Sequence, residues 1–289
     1  MQLTYRGSVN SWECDENDHL NVRFYVEKHW QALCGWLSSA GLSESIPPEE
    51  LLARVQVQHL RFLKESRLAA PLSGYAGAVG VSDGRLQVLT ELRHSFTGEV
   101  MCTCIHYLRD VAAAVTASLP DHGAPRGIDD EDLAHAALRL QQLEDYGFQA
   151  IGMGLIQTTE CEHGGAMQIQ HYMGRISDSM PHLWGALYAG DGLQFQHDGD
   201  DEGGAVVEYR LRYHQPLRRH DRFAVMSGIA AVGVKVQRFA HLLCNADTGE
   251  VCVSAQAAAV RMDLHARRAL ALSAEQQARL AERLLKPMV

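Results

Sequence analysis

An acid, an amide and an imidazole stand at alternate positions of one short stretch near the start of the chain, as Asp15, Asn17 and His19. A carboxylate can act as a base or nucleophile, an amide can orient water, and an imidazole can relay a proton near neutral pH. Asn21 follows as the predicted N-cap of a helix over residues 22–40. The reactive side chains would therefore lie beside the positive end of a helix dipole, where an oxyanion can be stabilised. The alternative interpretation is a polar turn with a cap.

The stretch from 15 to 21, Asp-Glu-Asn-Asp-His-Leu-Asn, resembles the Asp-x-Asn-x-His-x-Asn signature of hotdog-fold acyl-ACP thioesterases. It is also similar to the Asp-x-x-Gly-His-x-Asn loop of acyl-CoA thioesterases, from which Asp18 departs. In both groups the signature precedes the central helix. The resemblance implies that Asp15, Asn17 and His19 are the catalytic group and that Asn21 contacts the substrate.

Such relatives place an additional acid on their second strand, and this chain has no clear match for it. Arg61 stands at about that position, and Glu65 follows four residues later. Arg61 and Arg212 are cations at strand ends that could contact the phosphates of coenzyme A or an acidic acyl carrier protein. The alternative for each is a solvated face.

The resemblance implies that the chain hydrolyses an acyl-CoA or acyl-ACP thioester to a free acid and a thiol, with no cofactor and no metal. One alternative is a hotdog hydratase or dehydratase acting on acyl thioesters, whose usual Asp/His spacing is not found here. The other is a protein that binds acyl-CoA without turnover. One architecture hosts many functions, so the fold alone does not choose among them.

Three landmarks recur in the same order, which indicates an internal duplication. Asp178 and His182 repeat the spacing of the first acid and imidazole 163 residues later. The tripeptide at 60–62 is matched by the one at 211–213, and Thr-Gly-Glu-Val at 97–100 recurs at 248–251, both 151 residues later. The shorter offset predicts a shorter helix and loop in the second copy. That copy lacks the amide and the second Asn, so it is interpreted as degenerate, with an altered second site as the alternative.

Hydrophobic periodicity predicts one strand, one long helix and then an antiparallel run of strands in each half. With the resemblance, this gives an α+β class of two hotdog domains in tandem, each an antiparallel sheet wrapped around a central helix, with residues 1–145 and 146–289 as the domains. The predicted elements of the first half are a strand at 3–12, the helix at 22–40, strands at 51–63, 72–81, 85–96 and 101–108, and a helix at 129–143. Those of the second half are strands at 148–156 and 167–176, a helix from 181, strands at 206–213, 222–229, 235–245 and 251–262, and a helix at 273–285.

Charge and cysteine content limit the function classes. A net charge of −9 argues against broad binding to nucleic acid or anionic membranes, and no apolar run is long enough to span a bilayer. Seven cysteines without a Cys-x-x-Cys pair predict a reduced, cytoplasmic protein. The histidines at 59, 94, 171 and 214 have no metal-ligand spacing and are predicted to be structural or exposed. Whether two chains form a homodimer stays open.

Overall fold

The computed structural model describes residues 1–15, 18–188, 202–263 and 265–288. The chain divides into two compact units, each made of two separate segments. The first unit contains residues 1–126 and 159–174, and the second contains 127–158 and 175–289. A domain division near residue 145 stays a prediction.

The first unit is an antiparallel sheet of five strands with one long helix against it. Its strands are hydrogen-bonded in the order β1-β3-β4-β5-β2, and the helix α1 contacts β1, β3, β4 and β5. The elements are β1 (Gln2–Ser8), α1 (Val22–Ser39), α2 (Pro48–Arg54), β2 (Val55–Phe62), β3 (Pro71–Ser82), β4 (Arg85–His94) and β5 (Val100–Leu108).

The helix α1 begins and ends where its sequence predicts. Asn21 caps it by accepting a hydrogen bond from the backbone N–H of Arg23, and Gly41 follows it with a φ of 70°, the left-handed conformation of a C′ glycine. Two other glycines let the helix lie close to the sheet. A Cβ on Gly35 would stand 2.3 Å from the carbonyl oxygen of Thr4, and a Cβ on Gly74 would stand 3.1 Å from the Cβ of Ala32.

Two local predictions for the first 145 residues are wrong. The strand predicted at 51–63 begins only at Val55, because the turn at Pro47 starts the short helix α2 ahead of it. The helix predicted at 129–143 is reduced to a 3-10 turn, Ala134–Ala137, and the single turn α3 (Leu140–Leu143). The backbone N–H of Leu140 bonds to the carbonyl of Gly249, so tertiary contacts rather than a regular helix satisfy this segment.

The second unit repeats the antiparallel arrangement, with strands in the order β7-β10-β9-β8-β6. Its strands are β6 (Gln149–Leu155), β7 (Glu202–Tyr213), β8 (Arg222–Val232), β9 (Val236–Asn245), β10 (Val251–Asp263) and β11 (Arg268–Ala269), which pairs with β10. The helix α4 (Ile169–Tyr188) begins in the first unit and continues in the second, and α5 (Ala274–Ala281) starts at the predicted cap Ser273. Within the described residues, no helix is long and apolar enough to cross a membrane.

The prediction of a strand at 167–176 followed by a helix from 181 is wrong, since α4 already begins at Ile169. Its buried residues Tyr172, Met173, Ile176 and Leu183 follow the three-to-four spacing of a helix face. The second helix has 20 residues and the first has 18, so the prediction of a shorter second helix is also wrong.

The duplication itself is visible in matched turns. Gly98 and Gly249, each in a Thr-Gly-Glu-Val turn, both have a φ of 74°. Their N–H groups bond to the carbonyls of His94 and Asn245 respectively, each at 2.9 Å. Two turns with one geometry, each leading into a long strand, identify the two halves as structural copies.

Candidate active site

The residues from 14 to 20 form a closed loop directly ahead of α1. Cys14 and Leu20 form an antiparallel bridge, and the backbone N–H of Asp15 donates to the carbonyl of His19 at 2.8 Å. Asp18 has a φ of 58°, the left-handed conformation that Asp adopts more readily than most residues. Asp18 therefore adopts a left-handed conformation in which glycine is the usual residue.

The acid and the imidazole of the motif lie on the two sides of this loop, and both are half-buried. The side chain of Asp15 accepts a hydrogen bond from the backbone N–H of His19 at 3.1 Å through Oδ1. The carboxylate of Asp15 thus orders the loop through the backbone of His19. Partial burial raises the pKa of the Cys14 thiol and neighbouring carboxylates raise it further, which disfavours its nucleophilic thiolate form.

A third side chain, that of Glu65, meets His19 from the segment after β2. Its Oε2 lies 3.2 Å from Nε2 of His19. The backbone brings the two together, since His19 and Arg67 form a bridge and the N–H of Leu20 donates to the carbonyl of Ser66. A carboxylate at one ring nitrogen orients the imidazole, as in other acid–imidazole pairs.

Tyr25 holds the Glu65 segment beside the helix, and sequence reasoning missed it. Its hydroxyl accepts the backbone N–H of Ser66 at 2.9 Å and donates to the carbonyl of Lys64 at 3.4 Å. Burial raises the pKa of this phenol well above its ordinary value, so it stays a neutral donor. Tyr25 lies four residues after the cap Asn21, in the turn of α1 that is nearest to the loop. This spacing is a signal that the sequence did contain.

Of the two amide residues of the motif, Asn17 and Asn21, the structure describes only the second. Asn17 lies outside the described residues, so its catalytic role stays a prediction. The side chain of Asn21 accepts the N–H of Arg23 at 2.9 Å, and its own N–H donates to the carbonyl of Glu13 at 2.9 Å. Its predicted cap role is confirmed, and its contact with substrate stays a prediction.

The two predicted phosphate-binding arginines have protein partners. Nη1 of Arg61 donates to the carbonyls of Asp121 and Ala124, at 3.0 and 2.9 Å. Arg212 forms an ion pair with Asp132 at 3.0 Å. Both interactions order neighbouring loops, and substrate binding by either arginine stays a prediction.

The prediction that Asp178 and His182 repeat the first loop is wrong in structural terms. Both are exposed residues within α4, four positions apart on one helical face, rather than part of a loop ahead of a helix. The matched Asp-x-x-x-His spacing arises because an exposed helix face also carries polar residues four apart. The catalytic role of Asp178 and His182 stays a prediction, although they do not lie in the loop for which that role was predicted.

The loop that does correspond to the first one lies 147 residues later, between the 3-10 turn Thr158–Glu160 and α4. Cys161 and Met167 form its antiparallel bridge, and the N–H of Glu162 donates to the carbonyl of Ala166 at 2.9 Å. Gly165, with a φ of 81°, takes the place of Asp18. Glu162 and Ala166 therefore stand where the first loop has Asp15 and His19.

Other polar groups in the cores of the units form hydrogen-bonded clusters. In the first unit Thr90 Oγ1 lies 2.7 Å from Nδ1 of His29 and 3.0 Å from Nε2 of His106. In the second, Ser227 lies 2.7 Å from Nδ1 of His241. Within the described residues, no group of three or more His, Cys, Asp or Glu side chains is arranged to hold a metal ion.

The sequence matches no protein-family profile and no curated protein. The structure does match solved ones. An acyl-ACP thioesterase from Bacteroides thetaiotaomicron superposes with a TM-score of 0.59 at 10% identity, covering 88% of this chain and 96% of that one. A 12:0-ACP thioesterase from Umbellularia californica superposes with a TM-score of 0.57 at 12% identity, covering 89% and 93%.

A third similar structure is a tesB protein from Mycobacterium avium subspecies paratuberculosis, with a TM-score of 0.53 at 11% identity, covering 89% of this chain and 93% of that one. At such identities the similarity concerns architecture. Together with the matched turns and the antiparallel strand order found in each unit, it shows that this chain has a tandem hotdog fold.

Proposed function

We propose that the protein is an acyl thioesterase that hydrolyses an acyl-CoA or acyl-ACP thioester at the loop before α1. The observation that carries the proposal is the convergence of Asp15, His19 and Glu65, with Nε2 of His19 3.2 Å from the Glu65 carboxylate and Asp15 bonded to the backbone of the same histidine. The fold of acyl thioesterases over nearly nine-tenths of the chain supports it.

The reaction needs a water molecule to add to the thioester carbonyl carbon, after which the C–S bond breaks. In this proposal Asp15 takes the proton from the attacking water, or attacks directly to form an anhydride that water then opens. His19, oriented by Glu65, supplies the hydrogen bond or proton that the carbonyl oxygen and the departing thiolate need. The N-terminus of α1 adds a favourable dipole for the oxyanion. The products are a carboxylic acid and a free thiol.

The test is release of free thiol from a panel of acyl-CoAs, short to long and with hydroxylated or charged acyl groups, and from acyl-ACP. Wild type would be compared with Asp15→Ala and with Asp178→Ala as a matched control on an exposed helix face. We expect Asp15→Ala to lower kcat/KM by about a hundredfold or more while Asp178→Ala stays near wild type. Binding of acyl-CoA and acyl-ACP without thiol release from any member would overturn the proposal.

A further inference from the structure

A buried ion pair lies directly behind the loop of the proposed active site. Nζ of Lys28 stands 2.8 Å and 3.0 Å from the two carboxylate oxygens of Glu13. The two residues are only 3% and 5% exposed. Lys28 belongs to the second turn of α1, while Glu13 immediately precedes the loop residues Cys14 and Asp15.

The remaining hydrogen-bonding capacity of the pair extends to two further segments. Glu13 Oε2 also accepts the backbone N–H and the side-chain Nδ2 of Asn10, at 2.8 and 3.2 Å. Lys28 Nζ also donates to the carbonyl of Ser8, the last residue of β1, at 3.1 Å. The pair therefore joins three elements: the strand β1 before the loop, the 3-10 turn that contains Glu13, and the helix α1 after the loop.

Glu13 also closes the loop through its backbone. Its carbonyl accepts the N–H of Asn21 at 2.9 Å, so both ends of the segment that carries Asp15 and His19 are held at one residue. A buried ion pair is seldom the most stable way to fill a core, because desolvation offsets much of the attraction. What such a pair does instead is fix one arrangement of the segments that it joins.

We propose that Glu13 and Lys28 are positioning residues, which hold Asp15 and His19 in register with the N-terminus of α1 for turnover. This inference rests on the thioesterase activity proposed above. The pair touches neither substrate nor reacting atoms and acts only through the loop.

The second half of the chain provides a matched reference for this frame. Glu160 is buried at the position of Glu13, and its carbonyl accepts the N–H of Gln168 at 2.8 Å. Arg175 stands at the position of Lys28, 147 residues later. The buried glutamate therefore recurs there, but its carboxylate lies 3.6 Å from Nδ1 of His171, and the loop beside it has Ala166 in place of the histidine. Glu160→Gln thus alters a buried glutamate that is not part of the proposed active site.

The test compares Glu13→Gln, Lys28→Met, the double variant and Glu160→Gln. Each is checked by near-UV circular dichroism and urea unfolding, and kcat and KM are measured separately with an acyl-CoA that wild type hydrolyses. We expect each single change at the first frame to lower kcat by about 10- to 100-fold, the effect of a misplaced reacting group, with KM changed less than about threefold. Lys28→Arg, which keeps a cation opposite Glu13, is expected to retain most of kcat.

The double variant separates positioning from stability. It removes both charges, so its unfolding midpoint should recover toward wild type relative to the single variants, while its kcat stays low because the link between loop and helix is lost. Recovery of kcat together with the midpoint, or a drop in kcat for Glu160→Gln as large as that for Glu13→Gln, would overturn the positioning role. Absence of thiol release from wild type would instead overturn the proposed function.

Discussion

The two loops that precede α1 and α4 have one backbone and different side chains. In both, an antiparallel bridge closes the loop, a left-handed residue turns it, and the N–H before the helix returns to a buried glutamate. The first carries Asp15 and His19, with Glu65 on the imidazole. The second carries Glu162 and Ala166, and Pro216 stands at the position of Glu65.

The difference shows that the backbone frame does not require the reactive residues. Asp18 and Gly165 reach the same left-handed conformation, with φ values of 58° and 81°. Since the frame forms with or without an imidazole, its geometry is set by bridge, turn and buried acid. In the proposed mechanism three side chains carry the chemistry, and the second loop has Ala166 at the position of the imidazole and Pro216 at that of its carboxylate partner.

The largest expected difference between the loops is in turnover. His19→Ala is expected to lower kcat by about 10²- to 10⁴-fold, the usual contribution of acid–base catalysis, with the fold retained. The converse variant Ala166→His places an imidazole in the second loop, where Pro216 stands at the position of Glu65. Both are measured by thiol release. A His19→Ala variant with wild-type kcat would contradict the proposed difference in turnover between the two loops.

The partner of the imidazole should matter less than the imidazole itself. Glu65→Gln keeps the shape and removes the charge, and we expect kcat to fall by about 10- to 100-fold, as for other outer partners that orient an imidazole. Glu99→Gln is the matched control, since it removes an exposed carboxylate that pairs with the neighbouring Lys64. An equal loss in both variants would show that general charge near the loop, rather than the contact with His19, accounts for the effect.

Buried imidazoles should make the cores of both units sensitive to acid. Burial lowers the pKa of His106 and of His241 to about 3, and burial together with the neighbouring His106 lowers that of His29. The folded protein keeps these rings neutral, while the unfolded chain binds protons below its ordinary pKa of 6.5. Stability should therefore fall as pH falls from about 6.5 toward about 3, by up to roughly 1.4 kcal/mol per pH unit for each ring.

The measurement is the urea midpoint at pH 7, 6 and 5 for wild type, His106→Gln and His241→Gln. Each substitution removes one buried imidazole, so each variant should lose less stability between pH 7 and 5 than wild type does, whatever its stability at pH 7. If the urea midpoint of both variants fell between pH 7 and 5 by as much as that of wild type, the assignment of neutral buried rings would be contradicted.

The smallest expected effect concerns the turn residue of each loop. Gly165→Ala puts a Cβ on a backbone with a φ of 81° and should lower the free energy of unfolding by about 1 kcal/mol or more. Asp18→Gly keeps a permitted conformation and should change it by less than about 0.5 kcal/mol. Urea unfolding measures both. Equal destabilisation by the two changes would argue against a shared turn.

Much of the first half follows from local sequence. The cap at Asn21, the apolar spacing of α1 and the turn at Gly98 are signals carried by a few neighbouring residues, and all three features are where they were expected. Periodicity failed at 167–176, where a helix face was interpreted as a strand. A short window of mixed residues fits both periods, and only packing along the full length of α4 distinguishes them.

The sequence by itself determined the motif, the duplicated turns and the helix α1 with its cap, because these depend on residues close together in the chain. Only the tertiary structure decided the rest of the site. Glu65 lies 46 residues after the imidazole that it contacts, and the buried partner of Glu13 lies 15 residues away on the helix. Such pairs depend on how β2 and α1 pack against the loop, and no local pattern of letters encodes which of many acids and cations will meet.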